Sequence, residues 1–442
     1  MLELLASVIS TADARQVEQL WAAAERWGTP VVSPVVGDPD TYQVTYLCRA
    51  SGADVTSVRI NGAPVWHESD EVLRDPDGMA GATRMLPVPG TDVWWRSFQV
   101  PADLRSHYSF LESHRGDPAA PVAAPDPFNT NRWPDAPAAD PPLPEWVEQA
   151  EGWPFVELPG AAPRLCGEAA DIRRGEMVLH RVPSRILAND RRVWVWTPPA
   201  VADAAGDAPL PVLVVHDGWH WTLPGCSVAA MMDRLVSTGA VPRMVVVAQE
   251  SPAGEREELA CDPRFVDFLT DELLPWARGR WPVTTYPERT AIAGQSLGGL
   301  NAAYSAHRRP DVFGAVISQS GSFWWPHGTS FGRGAGSVLR LYAEEPRPAV
   351  RFSLDVGLLE GRMVGLSRHL RDVLVAGGHD VRYHEHLGGH SWLSWGPALP
   401  DALRAVTSGW TRSPETPGVV VDEPLRGPGS SDRTKPRQVL RP

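Results

Sequence analysis

Between residues 190 and 390, seven short apolar runs bounded by Gly, Pro or Asp alternate with stretches of helical spacing. The runs are VWVWTPP (193–199), LPVLVVHDG (210–218), RMVVVAQE (243–250), RTAIAG (289–294), GAVISQS (314–320), RFSLDVG (351–357) and VRYHEHLG (381–388). Helices are expected between them at 227–238, 263–278, 297–308, 362–376 and 398–410. Continuous apolar strands that alternate with helices predict a mostly parallel sheet covered on both faces, an α/β architecture.

The pattern upstream is different. Val17, Leu20, Trp21, Ala24 and Trp27 recur at helical spacing, with Gly28 and Pro30 as stop signals. Strand-like runs follow at 42–50, 54–60, 91–101 and 107–113, separated by turn residues and by no long helix, which predicts an antiparallel β-sandwich. The domain organisation expected is a sandwich over 1–114, a Pro-rich semi-rigid linker over 115–150, a catalytic α/β domain over 151–411 and a disordered tail over 412–442. No internal repeat is evident.

Composition narrows the partners. Hydrophobic content of 43% and charged content of 21% are those of a folded globular chain. A net charge of −12 argues against nucleic acid or an anionic membrane as the main partner. Cys48, Cys166, Cys226 and Cys261 are widely spaced, with neither a zinc signature nor a dense disulfide framework, so a cytoplasmic location is expected. The first residues, MLELLASVISTADARQ, lack a basic region and a sustained apolar core, and no secretory leader is expected. No apolar run is long enough to suggest a membrane span.

The chemistry concentrates at Gly294-Gln295-Ser296-Leu297-Gly298, a G-x-S-x-G sequence between an expected strand and an expected helix. On so sharp a turn, flanking residues without a β-carbon let the serine hydroxyl project, and the following helix N-terminus offers N–H groups to a developing oxyanion. The bland alternative is a glycine-rich turn with a bystander serine. A base is expected downstream on a loop after a late strand, and His390 in LGGHSWLSW (387–395) fits. The acid should lie between them at a strand end. Asp355 lies inside the strand 351–357 and Glu360 just past its end, and Glu360 is preferred because its loop can reach the histidine. A second oxyanion donor should come from HDGWHW (216–221), through Gly218 or Trp219, alongside Leu297. His384 and His386 alternate on the last strand, but with no matching carboxylate or cysteine spacing no metal site is expected.

These residues, with GTDVWWRSFQVPADLRSHYSF (90–110), DPFN (126–129), EREELACDPRFVDFLTDELLPW (255–276) and SQSGSFWWPHG (318–328), resemble the enterochelin esterase family over nearly residues 10 to 410. The resemblance implies an α/β-hydrolase (esterase-D-like) fold and cleavage of the trilactone esters of enterobactin-like catecholate siderophores, ferric or iron-free, with no protein-bound cofactor. It implies Ser296 and His390 as catalytic serine and histidine and Glu360 as the third member. A ferric tris-catecholate is a bulky trianion, so arginine and flat aromatic surfaces are expected around it. Arg256, His220, Trp219, Trp324, Trp325 and His327 are the candidates, ordinary core packing being the alternative for the tryptophans. A general carboxylesterase or acyltransferase of the same fold, and a siderophore-binding module without activity, are the rival functions.

Overall fold

The apolar runs are continuous because successive residues face opposite layers, and both layers are filled. Val212, Val214, Val245, Val247, Ile292 and Val316 enter one core, packed with Phe265, Leu300 and Leu370. Their neighbours Leu213, Val215, Val246, Ala248, Ala293 and Ile317 enter a second core on the other face, with Met231, Leu399 and Leu403. The structure, a computed structural model, describes residues 1–62, 83–116, 123–133, 152–165, 172–199, 209–251, 256–326 and 336–410. Met1–Thr411 forms one compact unit.

The central sheet comprises β1 (Glu176–Ser184), β2 (Asn189–Thr197), β3 (Val212–Val215), β4 (Val245–Gln249), β5 (Thr290–Gln295), β6 (Ala315–Gln319), β7 (Arg351–Gly357) and β8 (Asp380–His386). Their spatial order is β1-β2-β4-β3-β5-β6-β7-β8. The first two strands form an antiparallel hairpin and β2 pairs antiparallel with β4, whereas every pairing from β4 through β8 is parallel. This is the α/β-hydrolase arrangement expected, and it places the C-terminal ends of β5, β7 and β8 along one edge of the sheet.

Upstream, a four-stranded antiparallel sheet (Val31–Val35, Asp38–Arg49, Val93–Pro101, Leu86–Pro87) packs on one built from Val55–Asn61, Ser109–His114 and Ala123–Ala124. Val44, Tyr46, Ile60, Tyr108 and Phe110 form the core between them. The helices Leu2–Thr11 and Ala14–Trp27 cover its outer side through Leu5, Val8, Leu20 and Trp21.

Several details differ from expectation, each for a local reason. Part of the stretch expected as linker is docked: Asp126 is fully buried and accepts hydrogen bonds from Thr29 Oγ1 and Tyr108 Oη, both at 2.7 Å. Pro- and Ala-rich composition conceals such a polar anchor. The helix expected from 398 begins at Trp392, with Pro397 and Pro400 inside it, prolines that read as breakers in sequence. The segment 263–278 is helical but passes through a π turn at Phe268–Leu273, just before Pro275. Residues 412–442, the expected tail, lie outside the described residues, as do 117–122 and 134–150 of the expected linker.

Candidate active site

Gly294, Ser296 and Gly298 fold as a strand–turn–helix elbow. Ser296 has φ 54° and ψ −118°, a conformation disfavoured for a residue with a β-carbon, and it immediately precedes the helix Leu297–Arg308. The end of β6 holds it there: the Ser296 N–H donates to Gln319 O at 3.0 Å, and its carbonyl accepts from the Ser322 N–H at 2.9 Å. A β-carbon at Gly294 would sit 2.3 Å from the backbone of Gly298, so glycine at 294 is what allows the elbow to close. The Leu297 N–H, at the start of the helix, makes no hydrogen bond among the described residues.

His390 and Glu360 complete a continuous relay. Ser296 Oγ lies 2.9 Å from His390 Nε2, and His390 Nδ1 lies 2.6 Å from Glu360 Oε2. Glu360 is fixed by its other oxygen, Oε1, which accepts from Ser320 Oγ at 2.6 Å and from the Gly357 N–H at 2.8 Å. Ser320 in turn accepts from the Trp395 indole N–H at 2.9 Å, and the Trp395 ring meets the His390 imidazole edge-on at 4.9 Å. The Glu360 side chain is 1% exposed and that of His390 is 42% exposed, so the acid is shielded while the imidazole faces solvent. Asp355, the alternative acid, is occupied elsewhere: its Oδ2 lies 3.0 Å from His384 Nδ1 and 3.2 Å from His386 Nδ1.

Ser296 and His390 open onto a cleft of about 320 Å³ lined by Leu297, Asp217, Leu259 and an aromatic wall. His107, Trp133 and Trp153, from the upstream region, share that wall with His220, Trp392 and Trp395. The His220 ring stacks on Trp392 at 4.1 Å and 19°. His107 is half-buried, and desolvation lowers its pKa to about 4, so it contributes a neutral ring near pH 7.

The Esterase family model, described as "Putative esterase", matches residues 184–406. Iron(III) salmochelin esterase of Escherichia coli O6:H1 is 30% identical over 398 residues, 87% of this chain and 92% of that protein. The chain belongs to this esterase family. Iron(III) enterobactin esterase of Dickeya dadantii is 28% identical over 446 residues, covering 92% of this chain and 96% of the relative. The crystal structure of enterochelin esterase from Shigella flexneri superposes with a TM-score of 0.65 at 25% identity, covering 88% of this chain and 97% of its own.

Within this family fold, the residues expected from sequence separate into three groups. Ser296, His390, Leu297 and His220 line the cleft, with Glu360 shielded behind His390. Gly218 does not serve as an oxyanion donor, because its N–H donates to Gln249 O at 2.8 Å; the turn runs too close to β4, and a β-carbon there would meet Ala248 O at 2.3 Å. Trp219 is 3% exposed and its indole packs in the core against the His220 ring, not on the substrate, which leaves the oxyanion role expected of its backbone N–H unaffected. Trp324 and Trp325 do not line the cleft: they pack at the margins of the apolar clusters around Val356 and Phe323 respectively. His327 and the side chain of Arg256 lie outside the described residues.

Sequence reasoning missed Ser320, Trp395, Trp392, Trp133, Trp153 and His107. Trp392 and Trp395 sat in the quoted GGHSWLSW block beside His390. Their spacing of three on a helix was the one available signal that they share its face.

Proposed function

We propose that this esterase hydrolyses the ester bonds of enterobactin-like catecholate siderophores, ferric or iron-free, and does so in the cytoplasm. The observation that carries the reaction type is the unbroken Ser296–His390–Glu360 relay opening onto the aromatic cleft. The substrate class rests on the salmochelin and enterobactin esterases aligned over most of both chains. Cys48, Cys226 and Cys261 are free thiols, in keeping with a reducing compartment. No helix among the described residues is long and apolar enough to cross a membrane.

In the mechanism, Ser296 Oγ attacks the lactone carbonyl while His390 Nε2 takes its proton. Glu360 holds the Nδ1–H tautomer and stabilises the imidazolium that forms. The Leu297 N–H donates to the tetrahedral oxyanion, aided by the helix dipole. His390 then gives that proton to the departing alkoxide oxygen, releasing it as a hydroxyl, and in the second half-reaction it activates water to clear the acyl-enzyme. The wall of Trp153, Trp133, His220 and Trp392 offers flat surfaces to catechol rings.

Arg256 is assigned to the substrate's negative charge. Its backbone lies in the turn Arg256–Leu259, and Leu259 lines the cleft. His327 keeps its proposed role as a further contact.

The test is mass spectrometry of products from ferric and iron-free enterobactin, with Ser296→Ala as control. Linear trimer, dimer or monomer of dihydroxybenzoylserine should appear with the wild type alone. Intact siderophore beside Ser296-dependent cleavage of a simple phenyl ester would keep the hydrolase and remove the catecholate substrate.

A further inference from the structure

Behind the triad, the ends of β7 and β8 carry a second cluster that the relay does not use. Asp355 stands opposite His384 in the parallel pairing, and His386, two residues on, projects from the same face of its strand. One donor atom each from Asp355, His384 and His386 lies within 4.8 Å of the others. The two imidazole Nδ1 atoms both approach a single carboxylate oxygen, Oδ2, at 3.0 and 3.2 Å. The other oxygen, Oδ1, is buried with no partner, although the Asp355 side chain is only 4% exposed, and His386 Nε2 is buried without a partner as well.

A hydrogen-bond network that satisfied this carboxylate would spread its donors over both oxygens. Crowding two nitrogens and an oxygen around one point, and leaving a buried lone pair aimed at nothing, is instead the geometry of ligands arranged about an ion. A tetrahedral ion with bonds of about 2.0–2.1 Å sets adjacent ligand atoms about 3.3 Å apart, close to the two nitrogen–oxygen separations of 3.0 and 3.2 Å, and the imidazole donors lie within 4.8 Å of each other. We propose that Asp355, His384 and His386 form a binding site for a divalent transition-metal ion of the Zn2+ class, separate from the catalytic relay.

Two imidazoles and one carboxylate suit a borderline ion and disfavour Mg2+ or Ca2+, which require more oxygen ligands. Access comes from the His384 side, where that side chain is 55% exposed, and solvent water supplies the fourth ligand there. The ion's place in the fold defines its role. The loop after β7 runs from Gly357 to Glu360 and is tied to the strand end of β8, Leu358 N–H to His386 O at 2.8 Å and Leu359 N–H to Gly388 O at 3.0 Å. Metal bridging β7 to β8 would clamp the two strand ends whose loops deliver Glu360 and His390. It stabilises the frame of the site and takes no part in ester cleavage, so the inference stands whatever the ester substrate is.

The test is calorimetric titration of chelator-treated full-length protein with Zn2+, with Co2+ absorption as a report of coordination geometry. Wild type should bind one equivalent with a Kd at or below about 10 µM, give the intense visible bands of four-coordinate Co2+, and melt at higher temperature with Zn2+ than without. The half-exposed His384 tolerates replacement, and His384→Ala and His384→Gln should each weaken binding by about tenfold or more and lose the thermal shift. His390→Ala should bind as wild type, which separates this site from the catalytic imidazole. Absence of Zn2+ binding by the wild type overturns the proposal, and so does binding that either His384 variant keeps or that His390→Ala abolishes.

Discussion

Glu360→Gln is the substitution that most directly tests how the relay is oriented. The carboxylate has two faces with different demands. Oε1 meets the Gly357 N–H at 2.8 Å and Ser320 Oγ at 2.6 Å, while Oε2 meets His390 Nδ1 at 2.6 Å. Ser320 can donate or accept, but a backbone N–H can only donate, so Gly357 selects the orientation of any amide placed there. With its oxygen toward Gly357, the glutamine presents NH2 to His390 Nδ1. The imidazole must then carry its proton on Nε2, and it faces Ser296 as a donor instead of a base. The opposite orientation restores the useful tautomer but sets NH2 against the Gly357 N–H in a buried site, at about 1–3 kcal/mol. Loss of the charge-assisted bond to the imidazolium adds about 1.5–3 kcal/mol. Together these lower kcat by about 10² to 10⁴-fold with little change in KM. Glu360→Ala should be no slower than Glu360→Gln, because water in the vacated space can accept from Nδ1–H without forcing the wrong tautomer. The assay is product release from enterobactin and from a phenyl ester under saturating conditions, with thermal melts to establish folding. A folded Glu360→Gln enzyme within about fivefold of wild type, or one clearly faster than Glu360→Ala, would refute the orientation argued from Gly357.

Three further outcomes follow from the same geometry. Trp395→Phe keeps an aromatic ring against His390 but removes the N–H donated to Ser320 at 2.9 Å; the loss of about 1 kcal/mol should lower kcat about fivefold and leave KM alone, and an unchanged kcat would disconnect Trp395 from the relay. Trp392→Ala removes the ring stacked on His220 at 4.1 Å and should raise KM for the catecholate about tenfold with a smaller effect on kcat, measured against a phenyl ester too small to use that wall. Burial lowers the pKa of His107 to about 4 and that of His216 to about 3, from 6.5 for both. Since the unfolded chain binds these protons first, the contribution of these two histidines to stability should be level above pH 6.5 and fall as pH drops from 6.5 through 4 for His107 and 3 for His216. His107 alone accounts for about 3 kcal/mol of that loss, so urea midpoints for His107→Gln should fall less steeply with acid than those of the wild type.

How far the sequence could reveal this protein depended on how local the determining physics is. The inner strands β3 through β6 were legible because a two-faced parallel sheet leaves a continuous run of buried positions at each strand, as at Val212–Val215 and Val245–Gln249. The hairpin strand β1 was not, since it lies at the sheet's edge and its burial alternates irregularly along EMVLHRVPS. Asp126 and Asn129 were concealed for a related reason: a Pro-rich stretch looks like a connector unless one knows that Tyr108 and Thr29 wait to receive its polar side chains.

The site divides along the same line. Ser296 announces itself because the elbow constrains its chain neighbours: Gly294 must be small for Gly298 to pass, and the demand is written within a few residues. His390 and Glu360 could be placed because strand order limits which loops reach that edge of the sheet. Ser320 and Trp395 are different. They are 75 residues apart, and what makes them matter is one hydrogen bond that exists only once the end of β6 and the helix Trp392–Val406 have been brought to the same carboxylate. Asp355 shows the converse, a carboxylate within five residues of the true partner and on the correct strand, whose register opposite His384 commits it to the other pair of imidazoles. Position past the strand end favoured Glu360 already in the sequence; the pairing of β7 with β8 adds what it could not show, the partners that occupy Asp355 instead. A serine hydrolase can therefore be recognised from its elbow, but the groups that hold its acid in place must be found in the folded sheet.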